Sequence, residues 1–140
     1  KLLNLGSNRY TFRPQVGVVH NRNKWSFEST FAAWLYTDND DFFSGNYLEQ
    51  APFYTLEGFV DYTFRPGLWA GVGVGYGIGA RTTINGINKN DERENLGWEA
   101  SLGYPLSKRV GIKLAYIGIR TQVPVGADSD SLAVAMSILW

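Results

Sequence analysis

Leu132-Ala133-Val134-Ala135-Met136-Ser137-Ile138-Leu139-Trp140 closes the chain with large apolar side chains at every second position. Side chains alternate across a β-strand, so this segment presents one greasy face and one face of Ala and Ser. It ends on a tryptophan in mid-alternation, whereas soluble domains usually fray into a polar tail. The same alternation recurs upstream. It predicts seven strands, at about residues 10–20, 25–37, 53–65, 68–82, 96–105, 109–122 and 131–140. The 16 glycines argue against long helices.

In each predicted strand one face carries no charge. Examples are Trp25/Phe27/Phe31/Leu35, Leu68/Ala70/Val72/Val74/Tyr76/Ile78 and Val110/Ile112/Leu114/Tyr116. The other face collects Arg13, Glu28, Glu57, Asp61, Arg81, Glu99 and Lys113 among small and polar residues. Connections alternate strictly in length. Residues 21–24, 66–67 and 106–108 are tight turns, and 38–52, 83–95 and 123–130 are longer and polar. Aromatics collect at both strand ends. Trp25, Phe64, Trp69, Tyr104 and Trp140 fall toward the tight turns; Tyr10, Tyr36, Tyr54, Tyr76, Trp98 and Tyr116 fall toward the long loops. Strands of bilayer-crossing length, two aromatic girdles and a short/long loop rhythm together predict an all-β, antiparallel up-and-down transmembrane β-barrel. A soluble barrel or sandwich with the apolar face inward is the alternative.

Composition narrows the function. The chain has 140 residues, 13 Lys+Arg against 13 Asp+Glu, one His and no Cys. Zero net charge argues against nucleic-acid binding. Lack of cysteine excludes a disulfide framework and thiol chemistry. A mean hydropathy of −0.19 looks soluble, but a barrel averages its two faces to such a value. The chain starts at Lys1, and seven strands give an odd number. A complete barrel normally has an even number, so the expectation is a single domain over residues 1–140 that forms the C-terminal part of a larger barrel.

Candidate chemistry is sparse. Gly71-Val72-Gly73-Val74-Gly75-Tyr76-Gly77-Ile78-Gly79 never makes the G-x-G-x-x-G spacing and reads as a smooth strand face. Glu57 and Asp61 lie about 13 Å apart along one strand, too far for a glycosidase pair. Asp38, Asp40 and Asp41 lack the glycine of an EF-hand loop, since Phe43 stands at its sixth position. His20 lies at a tight turn with no serine partner. No catalytic residue, metal or cofactor is expected, and the seven charged residues are expected to line a lumen.

Three segments carry a resemblance to a known family. They are Asn39-Asp40-Asp41-Phe42-Phe43-Ser44-Gly45-Asn46, Phe64-Arg65-Pro66-Gly67-Leu68-Trp69 and Arg81-Thr82-Thr83-Ile84-Asn85-Gly86. With the terminal alternating strand, the region from about Asn4 to Trp140 resembles the C-terminal part of the outer-membrane barrels named for the MetA pathway of phenol degradation. The resemblance implies a Gram-negative outer-membrane protein with a transport role. The expectation is therefore a non-enzymatic channel for passive transport of small, aromatic or hydrophobic solutes. Its expected partners are outer-membrane lipid, lipopolysaccharide and the barrel-assembly machinery that reads C-terminal strands. A structural or adhesive barrel with a blocked lumen is the rival.

Overall fold

Glycine-rich alternation leaves the backbone one regular option, the antiparallel ladder. A computed structural model describes residues 8–124 and 126–138. Its main sheet holds β1 (Thr11–Phe12), β2 (Gln15–Arg22), β3 (Trp25–Tyr36), β6 (Phe53–Arg65), β7 (Leu68–Gly79), β10 (Arg93–Pro105), β11 (Val110–Thr121) and β12 (Ser129–Ile138). β1 and β2 are one crossing interrupted at Arg13-Pro14, and proline tolerates such an edge because no ladder N–H is needed there. Each crossing pairs antiparallel with the next, giving a seven-crossing meander. Among the described residues, the first and last crossings do not pair with each other.

The turns follow residue chemistry. Asn23 takes the left-handed conformation (φ 55°) between paired Arg22 and Trp25. Pro66-Gly67, with Gly67 at φ 79°, is the pairing a type II turn requires. In the third turn Ser107 Oγ accepts the backbone N–H groups of Arg109 (3.2 Å) and Val110 (3.1 Å).

The two long connections depart from the expectation of polar loops. They fold into a second sheet, ordered β4 (Asn39–Phe42), β5 (Asn46–Gln50), β8 (Thr82–Ile84) and β9 (Ile87–Asn88). Asn85-Gly86, at φ 49° and 76°, forms the β8–β9 hairpin tip between isoleucines. That Asn-Gly pair is a strong hairpin signal in the sequence. β5 and β8 continue the β6–β7 ladder across a break where Gly79 and Ala80 have φ 121° and 60°.

Side-chain exposure runs opposite to that of a soluble sheet. One row passes through His20, Phe27, Val60, Val72, Ala100, Tyr116 and Leu132, crossing all seven strands on the apolar face. That face is open: Leu132 is 74% exposed and Val72 62%. On β7 the apolar positions Val72 to Ile78 are exposed while Gly71, Gly77 and Gly79 are buried. No large side chain of the described residues is fully buried, and the buried apolar residues are four alanines and Leu48. The sheet has no interior of its own; across β6, β7, β10 and β11 the face carrying charged and small residues is the more shielded one, while β2 and β12 are exposed on both faces.

Candidate functional site: the charged face of the sheet

Strand parity places Glu28, Glu57, Asp61, Glu99 and Lys113 on the shielded face. Glu28 and Glu99 fall in one cross-strand row, Val19–Glu28–Phe59–Gly73–Glu99–Ile117–Ser131. Asp61 falls in the next row, with Ser26, Gly71 and Ser101. Lys113 reaches Glu99 at 3.0 Å, the one ion pair of the sheet's middle among the described residues. Asp61 lies in the field of Lys113, Glu28 and Glu99. Arg13, between β1 and β2, stacks on the Trp34 ring at 4.3 Å. Arg81 departs from the lumen expectation. β7 ends at Gly79 and the left-handed Ala80 breaks the alternation, so Arg81 belongs to the link into the second sheet, where its carbonyl accepts the N–H of Ala51.

The glycine stripe is a bed for large neighbouring side chains. A Cβ on Gly73 would lie 2.2 Å from Phe59 Cδ1, on Gly77 2.6 Å from Phe53 Cζ, and on Gly103 2.0 Å from Trp69 Nε1. A Cβ on Gly71 would meet Asp61 Oδ1 at 1.7 Å. Glycine therefore lets rings and a carboxylate lie across the wall rather than stand into the space in front of it. Trp34 and Phe53 pack at 5.6 Å on this same face. The odd/even position of Trp34, Phe53 and Phe59 puts them on this face, although no motif marks them.

On the exposed face, Trp25, Phe64 and Tyr104 stand toward the turns, with Trp25 edge-on to Tyr62 at 4.8 Å. Tyr10, Tyr54, Tyr76 and Tyr116 are exposed toward the loops. Trp98 lies over Gly118, with Arg120 4.9 Å above its ring. Two expected girdle residues belong to the other face. Leu35 pairs with Phe12 on the apolar side, so Tyr36 turns inward, where Arg9 stacks on it at 4.8 Å. Trp69 pairs with Thr63 and Gly103, and the Lys113 ammonium stands 5.8 Å from its ring. Trp140 lies outside the described residues.

Charges fringe the apolar face at both ends. At the loop end, Arg120 Nη2 donates to both carboxylate oxygens of Asp130 (2.9 and 3.1 Å), and the Tyr116 and Tyr76 hydroxyls donate to Asp130 and Glu94. From Arg109 to Arg120 the strand rises about 36 Å, or about 28 Å along the normal at a tilt of about 40°. That height suits the apolar band of about 25 Å on a transmembrane barrel.

Outside the bands, Asp91 accepts from the Thr82 N–H (2.7 Å) and hydroxyl (2.6 Å). Partial burial opposes ionisation of Asp91, yet these hydrogen bonds, with its own backbone N–H and Arg93, hold its carboxyl below the usual range. The Tyr47 hydroxyl donates to Asp38, and that bond, with slight desolvation and nearby carboxylates, pushes Tyr47 up to about 12.

Residues 1–135 match the model of the family described as "Putative MetA-pathway of phenol degradation". The chain belongs to that family. Its fold is similar to the crystal structure of the COG4313 outer membrane channel from Pseudomonas putida F1, with a TM-score of 0.81 at 24% identity. The match covers 98% of this chain and 52% of that channel, so the chain spans about half the channel's length. No curated protein matches the chain. Family membership and the barrel neighbour agree with the inside-out sheet: all-β, antiparallel and built as part of a barrel wall.

Proposed function

We propose that this chain forms part of the wall of a bacterial outer-membrane channel that passes small, aromatic or hydrophobic solutes down their gradients. The carrying observation is the continuous exposed apolar face opposite a shielded charged face. In water that face would be a patch far larger than monomeric proteins tolerate; in lipid it is the stable orientation. The similarity to an outer-membrane channel and the family's link to phenol degradation support the compartment and the solute class.

Lipid tolerates no open sheet edge, so further strands close this one. The first and seventh crossings run in the same direction. Antiparallel closure therefore takes an odd number of additional strands, and a second copy in the same orientation would pair in parallel at both seams. Outer-membrane lipid and lipopolysaccharide surround the apolar band, and the barrel-assembly machinery engages the C-terminal strand. No step of this transport needs a catalytic group.

Two measurements test the reading. The protein fractionates with the outer membrane and shows a heat-dependent gel shift; recovery in the soluble fraction without detergent refutes the membrane placement. The closed barrel conducts in planar bilayers and swells solute-loaded liposomes. Absence of both, with the protein inserted, favours the structural barrel with a blocked lumen.

A further inference from the structure

The formal charge of zero is unevenly distributed. The three tight turns and the strand ends beside them carry Arg22, Lys24, Arg65, Lys108 and Arg109 and no Asp or Glu, whereas the mid-strand shielded face carries Glu28, Glu57, Asp61 and Glu99. At the turn end the structure holds a cleft of about 790 Å³, lined by Arg65, Lys108, Arg109, Lys113, Trp69 and Ser137 among others. Its lining joins the shielded-face positions Gly103, Gly111 and Ala135 to Val110, Ile112 and Met136 of the apolar face, which puts it at the turn-end rim of the wall. Lys113 already pairs with Glu99. Arg65, Lys108 and Arg109 have no carboxylate partner among the described residues. Three cations gathered around one concavity, with no carboxylate among its described lining residues, create a local positive potential.

Trp69 adds shape to that charge. Its Nε1, Cε2 and Cδ1 atoms would all lie within 2.6 Å of a Cβ on Gly103, so the indole lies across the wall. A ring held in this way offers a flat apolar surface next to the cations. An aromatic plate flanked by guanidinium and ammonium groups matches a planar ring bearing an anionic group: stacking takes the ring, and charge-assisted hydrogen bonds take the carboxylate.

We propose that this cleft is a binding subsite for aromatic carboxylates at the turn-end mouth of the channel. It deepens the channel reading and rests on it for its role: a solute is held at the mouth after passing the carboxylate-lined middle, or before entering it. An anionic phospholipid headgroup would share the charge but not the need for a stacked ring.

The test uses the closed barrel in detergent, titrated calorimetrically at neutral pH with benzoate, acetate and benzyl alcohol. Benzoate binds saturably, about tenfold or more tightly than either fragment. R65Q/K108Q/R109Q weakens it by about tenfold or more, W69A weakens it too, and E49Q leaves it unchanged. A retained heat-dependent gel shift shows that each variant is folded. Equal affinity for benzoate and acetate overturns the proposal. So does full benzoate affinity in the triple variant, or a triple variant that loses only co-purified anionic phospholipid. Conductance in potassium chloride is read separately. A conducting channel that ignores benzoate defeats the subsite alone; benzoate binding without conductance defeats the channel reading and leaves the site.

Discussion

The main sheet and the small sheet above it share a ladder, yet they follow opposite rules. Across the break at Pro52 and Gly79–Ala80, β6–β7 becomes β5–β8. Below the break Val72 and Val74 are exposed and glycines are shielded. Above it Leu48 is 7% exposed and Asn39 4%, and polar side chains do the fastening. Asn85 Oδ1 accepts the Tyr47 N–H and its amide donates to Asn46, both at 2.8 Å. On the proposed reading one chain faces two solvents: the wall is built against lipid and the loop sheet against water.

The largest effect is expected from a charge on the wall's exposed face. Val72→Arg is expected to cost about 2–4 kcal/mol in a bilayer and to reduce insertion into vesicles. In water an equally exposed site would tolerate it within about 0.5 kcal/mol. Urea titration of the vesicle-folded barrel decides; a neutral result removes the lipid-facing assignment.

A somewhat smaller effect is expected on the shielded side. Gly73→Ala drives a methyl into the Phe59 ring, with an overpacking cost of about 1–3 kcal/mol. Combining it with Phe59→Leu should recover part of that loss, and strict additivity would show that the ring is not bedded on the glycine.

The loop sheet should respond to pH at both extremes. Asp91's folded pKa is depressed, so its contribution is present above its unfolded value, near 3.8, and fades as pH falls through the lower folded value. Tyr47 is raised, so its contribution is complete below about 10 and is lost as pH rises through about 12. Hydrogen exchange should show β5, β8 and β9 loosening at both extremes. Asp91→Asn should abolish the acid limb and cost about 1 kcal/mol locally.

The smallest expected change in stability is at the Glu99–Lys113 pair, whose lysine side chain is 45% exposed. Lys113→Met should alter stability by at most about 1 kcal/mol. It leaves the mid-wall carboxylates without their cation, so reversal potentials should shift toward cation preference. An unchanged reversal potential would exclude this pair from the conduction path.

Much of the wall was readable because period-2 alternation leaves a strand only two choices of face, and the tight turns set each register. The assignment of Glu28, Glu57, Asp61, Glu99 and Lys113 to one face needed nothing more. Height along the strand puts Tyr36 and Trp69 in the girdles, but parity turns both to the other face. Unbroken alternation would put Arg81 on the charged face, but the left-handed Gly79 and Ala80 end it first. The loop sheet leaves little trace in the sequence because its strands are short and polar, with Asn85-Gly86 as its one hairpin signal.

By itself, the order of residues determined an antiparallel meander with one apolar and one charged face, since alternation needs only the pleat. Which face is shielded, which rings lie on which glycines, and which cations gather around Trp69 were decided by tertiary structure. Those relations depend on cross-strand register and sheet shape, and they join residues tens of positions apart that no local pattern connects.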